Sequence, residues 1–383
     1  MGIYIFLIAI TFLFYIISYF NEKLIYKLYF IETFLSCLIL CFGFMTGSDW
    51  RTYEEIYNSY GNNDFFWRFS YLEPGYLLLN IIGNVIGLNF WEWYIILRVI
   101  IFFIVCKFLF FYCPRKSLLI CYTIFLGMWG IMYYIDPSFR NMLAASVSII
   151  GFKYIINRNK IKYLIVTIIA LSFHFSAIFL PLIYVFSILN ISNTKLLIIF
   201  VIINIIFISK NSIFIIIDNL FSNLEFVQGK IENYSSGRES DTVGSGKIIS
   251  ITYLFNCFIF VLLLVNREFL NKFKYGKIIF NLAILYIFMS RIGLTVLIFT
   301  RFYLYILYFM AIAISILVLK IKRTQQIIGA TFLFIVSVIS NYKQMQSWRF
   351  IPYSNIILYL DNLPSFEYRS DYNLINSPYK DNL

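Results

Sequence analysis

The chain has 383 residues, of which 61% are hydrophobic and 13% charged, with a formal net charge of +12. This composition excludes a water-soluble globular protein, which needs far more polar surface. Because the lysines lie mainly in short segments between apolar runs, the positive charge indicates membrane orientation and argues against a nucleic-acid partner.

Uncharged runs long enough to cross a bilayer recur along the chain, since about 20 apolar residues span the hydrocarbon core. Residues 1–21 have no basic n-region and no A-x-A cleavage site, so they are predicted to form the first helix and not a signal peptide. We predict an all-α polytopic integral membrane protein with about twelve crossings. The runs cover residues 1–21, 33–48, 117–135, 248–266, 302–319 and 324–342.

Charge patterning predicts which segments face which side. The loop at 47–75 is acidic, and the loop at 218–247 is mixed in charge and rich in Ser, Gly and Asn. We expect both loops in the periplasm, together with a C-terminal segment at 342–383, and residues 1–341 form a single transmembrane domain. The positive-inside rule places the short basic segments in the cytoplasm. These are 22–27, 107–116, 158–162, 267–277 and 320–323.

This topology constrains two regions. Residues 76–88 must return to the side that they left, as a re-entrant or interfacial helix. Residues 163–189 must either cross twice or form one long helix that is kinked at Pro181.

Three arginines are predicted in or beside helices on the outer side, where charge is costly and therefore indicates function. Arg140 follows "IDPSF", a helix-start signal, so its guanidinium and the N–H groups of the first helical turn would form an anion site. Arg291 and Arg301 lie in one apolar region, and on a continuous helix they would line one cavity at two depths. The alternatives are that Arg140 reaches lipid headgroups, or that Arg291 pairs with Asp49 or Glu73.

The stretch "GSDWRTYEEIYNSYGNNDFFWRFSYLEPGY" combines carboxylates with many aromatic residues. Asp49, Tyr53 and Tyr57 follow an i, i+4, i+8 spacing, which places them on one face of a short helix. Aromatic faces stack on pyranose rings and carboxylates accept from sugar hydroxyls, so Tyr53, Tyr57 and Tyr76 are candidate sugar-binding residues. The alternative is an interfacial aromatic belt.

The chain contains one histidine, His174, within "LSFHFSAIFLP". A lone histidine in an apolar run is commonly a core residue. The predicted outer-side arginines and the acidic loop favour instead a general base or a residue that orients a ligand. The six cysteines form no C-x-x-C pair and no nucleotide-binding fingerprint is present, so we expect neither a metal nor a cofactor.

At these residues the chain resembles the EpsG/Wzy family of polysaccharide polymerases. The matching pieces follow the family's order: "GSDWRTYEEIY", "EPGY", "RNMLAASV", "FHFSAI", "SRIGLTVLIFTRFYLYI" and a late "IPY" at 351–353. Together they span residues 47–353.

The resemblance implies a metal-independent, C-type-fold glycosyltransferase at the periplasmic face of the bacterial inner membrane. Such an enzyme transfers a growing glycan from undecaprenyl pyrophosphate to a terminal hydroxyl of a lipid-linked repeat unit, as in O-antigen synthesis for lipopolysaccharide. Membrane lipid and a chain-length regulator are further expected partners. The sugars, the linkage and whether the enzyme inverts or retains are left open.

The residue chemistry suits this reaction. A pyrophosphate leaving group needs fixed positive charge, which Arg140, Arg291 and Arg301 would supply. The acceptor hydroxyl needs a base, for which His174 is the first choice and Asp49 or Glu73 the second.

Rival functions are a lipid-linked oligosaccharide flippase, an O-antigen ligase and a membrane acyltransferase. A flippase would be expected to have pseudo-symmetric halves, and the sequence has no defensible internal repeat. The candidate residues also concentrate on one face, which favours the polymerase.

Overall fold

The structure, a computed structural model, describes residues 1–136, 138–207, 250–295 and 299–378, without the side chains of residues 343 and 344. The predicted loop at 218–247 lies outside the described residues. Within the described ranges, six helices are long and apolar enough to cross a membrane, and four shorter apolar helices accompany them. The prediction of an all-α polytopic membrane protein is therefore confirmed, and the figure of about twelve crossings stays a prediction.

The described elements are numbered in chain order. The α-helices are α1 Gly2–Phe20, α2 Ile25–Leu40, α3 Trp50–Asn58, α4 Phe65–Arg68, α5 Pro74–Val85, α6 Phe90–Tyr112, α7 Leu118–Phe125, α8 Ile131–Ile135, α9 Phe139–Ile156, α10 Lys160–Leu171, α11 Leu180–Ile188, α12 Asn193–Ile206, α13 Ile251–Val265, α14 Arg267–Asn271, α15 Gly276–Thr295, α16 Thr300–Tyr303, α17 Leu307–Lys320, α18 Arg323–Met345 and α19 Phe366–Asn376. The strands are β1 Gly43–Phe44 and β2 Ser354–Asn355.

The chain divides into two compact units. The first unit contains Met1–Pro181 and Ala311–Leu383, and the second unit contains Leu182–Met310. The second unit packs α12 and α13 against α15, and the Asn281 side chain on α15 donates to the Ser187 carbonyl at 3.0 Å.

The central helix of the first unit runs from Arg115 to Ile135 and joins α7 and α8 through a π-helical turn at Leu126–Gly130. Within its apolar 18-residue stretch, 94% of the residues are buried inside the protein, against 22% for the corresponding stretch of α18. A Cβ at Gly127 would lie 2.4 Å from the Ser337 Cβ of α18, so only glycine permits this contact. The central helix is therefore shielded from lipid, whereas α18 presents most of its surface outward.

The first unit has two ends, which are connected by helices long enough to cross a membrane. At one end the Tyr4 hydroxyl of α1 donates to the Phe350 carbonyl beyond α18 at 3.0 Å. At the other end Arg323, where α18 begins, donates to the Tyr19 carbonyl at 3.4 Å. Helix α1 has 19 residues and is about 28 Å long, close to the thickness of the hydrocarbon core. The two ends therefore face opposite membrane surfaces.

We name the two ends by their charged residues. The carboxylate end carries Glu54, Glu73 and Asp136, each in an ion pair with an arginine. The basic end carries Lys116 and Arg323 together with the other short basic segments that flank α1, α7, α9 and α18.

The C-terminal segment packs at the carboxylate end, beside the loop at 47–75. Strands β1 and β2 pair antiparallel, with Gly43 opposite Asn355. The Asn373 side chain of α19 donates to the Met45 carbonyl at 2.6 Å. The loop and the C-terminal segment therefore share one membrane face, as the predicted topology requires; its identification as the periplasmic face stays a prediction.

The predicted topology constrained two regions, 76–88 and 163–189, and the structure describes both. Helix α5 has 12 residues, about 18 Å, and is too short to cross, which agrees with a re-entrant or interfacial role. Of the two alternatives for 163–189, one long helix kinked at Pro181 is wrong, because α10 ends at Leu171 and a 3-10 helix follows at Phe175–Phe179. Pro181 is the second residue of α11, a position where the missing N–H costs no helical hydrogen bond.

Candidate functional site

The first contact of the site joins Arg140 to Glu73. Arg140 lies in the first turn of α9, and Glu73 is the residue before Pro74, which begins α5. Their side chains form an ion pair and are 26% and 17% exposed. The Tyr53 hydroxyl also hydrogen-bonds to Arg140. Two residues that the sequence placed in separate roles are therefore direct partners, and Arg140 is held by protein groups from two other elements.

Two hydrogen bonds connect the "EPGY" stretch to residues 172 and 175, beside and within the "FHFSAI" stretch. The Gly75 N–H donates to the Ser172 carbonyl at 2.7 Å, and the Phe175 N–H donates to Glu73 Oε1 at 3.2 Å. A Cβ at Gly75 would lie 2.4 Å from Ser172 Oγ and 2.7 Å from the Ser172 carbonyl oxygen. Glycine is therefore required for this approach, which holds Glu73 in place.

His174 caps the 3-10 helix that follows α10. It is 5% exposed, and its Nδ1 accepts from the Ser176 N–H at 3.1 Å. The same nitrogen lies 2.6 Å from Ser176 Oγ, which in turn contacts Asn141 Oδ1 at 3.1 Å. Since Asn141 follows Arg140, three of the motifs meet at one place.

These contacts define the tautomer of the ring. A nitrogen that accepts from a backbone N–H carries its lone pair there, so the neutral His174 ring has its proton on Nε2. The single hydroxyl proton of Ser176 lies between two acceptors, Nδ1 and Asn141 Oδ1. In this arrangement Nε2 carries the N–H and is the donor atom of the ring.

The three candidate sugar-binding tyrosines lie in the protein interior. Tyr53, Tyr57 and Tyr76 are 5%, 2% and 2% exposed. The Tyr53 hydroxyl accepts from the Phe139 N–H at 3.2 Å and so satisfies a donor in the first turn of α9. Burial, with a smaller contribution from Asp49, raises the pKa of Tyr53 to about 12, which keeps the hydroxyl protonated. Their predicted contact with sugar stays a prediction.

Exposed aromatic rings occur in and after the neighbouring helix α4. Phe66, Trp67 and Tyr71 are 64%, 83% and 71% exposed. Asp49 is also exposed, directly before α3, and accepts from Ser48 Oγ at 3.0 Å. The loop at 47–75 therefore presents exposed aromatic rings besides the three tyrosines that were chosen from the sequence.

Two more ion pairs at the carboxylate end were not predicted. Asp136 pairs with Arg349 at 3.0 Å and accepts from the Ser48 N–H at 2.8 Å. Glu54 and Arg369 form a bidentate pair in which both residues are buried, and the guanidinium lies 5.7 Å from the Trp50 ring centroid. No local pattern in the sequence linked either carboxylate to its arginine, because Asp136 and Arg349 are 213 positions apart and Glu54 and Arg369 are 315 positions apart.

Arg291 and Arg301 belong to the second unit, and one part of their prediction is wrong. They do not share a continuous helix, because α15 ends at Thr295 and Arg301 lies in the short helix α16. Gly293 permits a close approach of the Thr300 backbone, whose nitrogen would lie 3.3 Å from a Cβ at that position. Two residues so close cannot be seven positions apart on one helix, where they would be separated by about 10 Å.

Each of these arginines has a defined setting within the second unit. Arg291 is 3% exposed, and its guanidinium lies 4.8 Å from the Tyr253 ring centroid. Arg301 is half-buried. The roles of both in pyrophosphate binding stay predictions, as do those of Arg140 and the candidate bases.

The fold and the site together define a polytopic helical membrane protein with a cluster of paired carboxylates, arginines and one histidine at one membrane face. The model of the EpsG family matches residues 26–355, and the chain belongs to this family. The resemblance seen in the sequence is thereby confirmed. No curated protein and no solved structure matches the chain.

Proposed function

We propose that this protein polymerises lipid-linked oligosaccharide repeat units into a surface polysaccharide. Membership of the EpsG family supports a polysaccharide polymerase-like role in general. The proposal of glycan transfer from a lipid pyrophosphate is supported by the convergence of Glu73, Arg140 and His174 at the carboxylate end of the first unit. This set can hold an anionic leaving group, orient a hydroxyl and receive a proton.

The proposed reaction transfers the growing glycan from undecaprenyl pyrophosphate to an acceptor repeat unit. The acceptor hydroxyl oxygen bonds to the anomeric carbon of the donor glycan, and the bond from that carbon to the pyrophosphate oxygen breaks. Undecaprenyl pyrophosphate leaves with the bonding electron pair, and the hydroxyl proton passes to a protein carboxylate. Arginine suits the developing negative charge because its planar fork grips two phosphate oxygens.

The Glu73–Arg140 pair supports a coupling between substrate binding and base formation. A pyrophosphate that engages the Arg140 guanidinium competes with the Glu73 carboxylate for the same donors. Glu73 would then exchange its arginine contact for the acceptor hydroxyl and become the base. Arg291 and Arg301 of the second unit remain candidate phosphate ligands in this scheme.

The geometry of His174 favours an orienting role over the role of base. With Nδ1 occupied by the Ser176 N–H, the neutral ring presents an N–H at Nε2. An N–H donor can hold the acceptor hydroxyl oxygen but cannot receive its proton. We therefore assign the base to Glu73 in preference to His174, with Asp49 as the exposed alternative.

The proposal places the carboxylate end in the periplasm of a bacterial inner membrane. Lysine and arginine residues mark the short connections at the basic end, as the positive-inside rule expects of a cytoplasmic face. O-antigen for lipopolysaccharide is the proposed product class, and a chain-length regulator is the proposed protein partner. No divalent metal is required, because arginines supply the positive charge.

A deletion strain tests this function against its rivals. We expect lipopolysaccharide that carries single repeat units, with the ladder restored by the wild-type gene and not by Arg140→Ala. Bare core would indicate a flippase or a ligase and would overturn the proposal. Accumulation of the undecaprenyl-linked unit on the periplasmic face distinguishes a lost ligase from a lost flippase.

A further inference from the structure

A cavity of about 260 Å³ lies at the basic end of the first unit, on the opposite membrane face from the candidate site. It is formed where α1 ends and α18 begins, beside the start of the central helix. None of its residues takes part in the proposed polymerisation. Its lining consists of Tyr15, Ser18, Tyr19, Glu22, Ile25, Lys116, Leu319, Arg323 and Gln326.

Two cations dominate the electrostatics of this cavity. Arg323 is exposed, and its Nη2 donates to the Tyr19 carbonyl at 3.4 Å, one of the five N–H donors of its guanidinium. Lys116 contributes an ammonium group whose side chain is 64% exposed. A third cation, Arg115, adjoins the lining and donates to the Glu22 carbonyl oxygen at 3.3 Å.

The one carboxylate in the lining is neutralised by its partner. Glu22 Oε1 lies 2.9 Å from Lys116 Nζ. The hydrogen bond from Lys116, partly opposed by burial, lowers the pKa of Glu22 and keeps the carboxylate ionised and paired. The cavity and its border therefore carry a net positive charge that Arg323 and Arg115 provide.

The surroundings indicate a ligand that enters from the bilayer. The cavity is bordered by α1 and α18, and only 33% and 22% of the apolar 18-residue stretches of these helices are buried inside the protein. Phe20 and Ile328, near the junction of these helices, are 75% and 70% exposed. Ile25 and Leu319 add apolar surface inside the cavity. Cationic side chains above an apolar wall at a membrane surface suit a phosphate group with attached acyl chains.

We propose that this cavity is a phosphate-binding site that takes the headgroup of an anionic glycerophospholipid. Arg323 grips the phosphate oxygens with its planar fork, Arg115 at the border adds a second charge, and the acyl chains lie along the exposed faces of α1 and α18. This inference does not depend on the polymerase proposal, because no residue is shared. A free phosphate is the other source of the same chemistry.

Lipid titrations of the purified full chain test the site. In nanodiscs of phosphatidylcholine, added phosphatidylglycerol should raise the thermal midpoint of the wild type, whereas inorganic phosphate at equal concentration should not. Arg323→Gln should weaken the apparent phosphatidylglycerol affinity by about 5–10-fold, the scale expected for losing one basic group near an anionic lipid. The matched control is Lys27→Gln, which removes an equal charge from an exposed position at the same end outside the lining.

Three outcomes would overturn the proposal. Equal weakening in Lys27→Gln and Arg323→Gln would mean that only diffuse charge attracts the lipid. Equal protection by inorganic phosphate would identify a soluble phosphate ligand. If Arg323→Gln already lowers the thermal midpoint in pure phosphatidylcholine, the variant is destabilised, and native mass spectrometry of Arg323→Lys is used in place of the titration. Retention of phosphatidylglycerol by Arg323→Lys equal to that of the wild type would then show that the arginine fork has no role.

Discussion

At the carboxylate end of the first unit, Arg140 and Arg369 are held by carboxylates, and the Arg369–Glu54 pair is buried. At the basic end, Lys116 and Glu22 also form an ion pair, but their side chains are 64% and 44% exposed. Both ends are charged, yet only the first builds its charges into a fixed geometry. A buried pair that loses one partner leaves an uncompensated charge, whereas an exposed pair exchanges its partner for water.

This difference separates two uses of charge in one membrane protein. Exposed cations at the basic end outside the Arg323 cavity act through their number, which sets orientation. The buried and half-buried pairs of the carboxylate end act through the position of each donor and acceptor. Substitutions that conserve charge but change shape should therefore be tolerated at those basic-end cations and harmful at the buried and half-buried pairs.

Substitutions at His174 should have the largest effect, and they test the separate roles assigned to its two ring nitrogens, Nδ1 as the cap and Nε2 as the donor. In His174→Asn the amide oxygen takes the place of Nδ1 and keeps the cap, but no group remains at Nε2. Polymerisation should fall by about 10²–10³-fold, the scale of losing one positioned hydrogen-bond donor at a reacting oxygen. His174→Gln places an amide N–H near Nε2 and should keep more activity than His174→Asn, as measured from glycan ladders at matched protein levels.

The reverse order would contradict this assignment. If His174→Asn polymerises normally and His174→Gln does not, the histidine serves only to cap the 3-10 helix. Ser176→Ala is the matched control, because it removes the hydroxyl contact and keeps the backbone N–H that Nδ1 accepts from.

The next effect concerns stability and tests whether burial distinguishes the pairs. Arg369→Met leaves Glu54 buried without its cation and should lower the free energy of unfolding by about 3–5 kcal/mol. Arg68→Met breaks the pair with Glu55, whose side chains are 48% and 56% exposed, and should cost about 0–1 kcal/mol. Thermal unfolding in detergent compares the two variants. Equal losses would show that the buried pair has no special role in fastening the C-terminal segment.

A smaller loss is expected from Arg140→Lys, which keeps the charge and removes the planar fork. Turnover should fall by about 10²-fold or more, since a lysine cannot grip two phosphate oxygens while charge develops on the leaving group. Arg68→Lys, an exposed substitution at the same end, is the control. Normal polymer from Arg140→Lys would remove Arg140 from the pyrophosphate site.

The smallest effect is expected at the basic end. Lys160→Arg and Lys162→Arg change shape and conserve charge on a segment that the positive-inside rule assigns to the cytoplasm. Polymer length and amount should stay within about twofold, because only the number of charges matters at this segment, which lies outside the Arg323 cavity. A loss comparable to that of Arg140→Lys would break the distinction between the two ends.

The helices were accessible from the sequence because apolar runs and caps are local signals. Helix α1, for example, occupies Gly2–Phe20, within the apolar run predicted at 1–21. The motifs that carry the family resemblance were also local, and they supplied Glu73, Arg140 and His174 before any contact was known.

The partners of these residues could not be read from the sequence. Glu73 and Arg140 are 67 positions apart, and Glu54 and Arg369 are 315 positions apart. Nothing in composition or periodicity selects one arginine for one carboxylate over such separations. The sequence could not decide between a break near His174 and a kink at Pro181 for a related reason: the proline is a local signal, whereas the cap formed by His174 depends on its rotamer.

The most direct test of the central claim is polymerisation by the purified protein in liposomes. The substrate is a single undecaprenyl-pyrophosphate-linked repeat unit, and the buffer contains EDTA. We predict a ladder of glycans on undecaprenyl pyrophosphate, with one free undecaprenyl pyrophosphate released for each bond formed, and a ladder reduced about 10²-fold or more in Arg140→Lys. Transbilayer movement of the substrate without elongation, or elongation only after a divalent ion is added, would contradict the account.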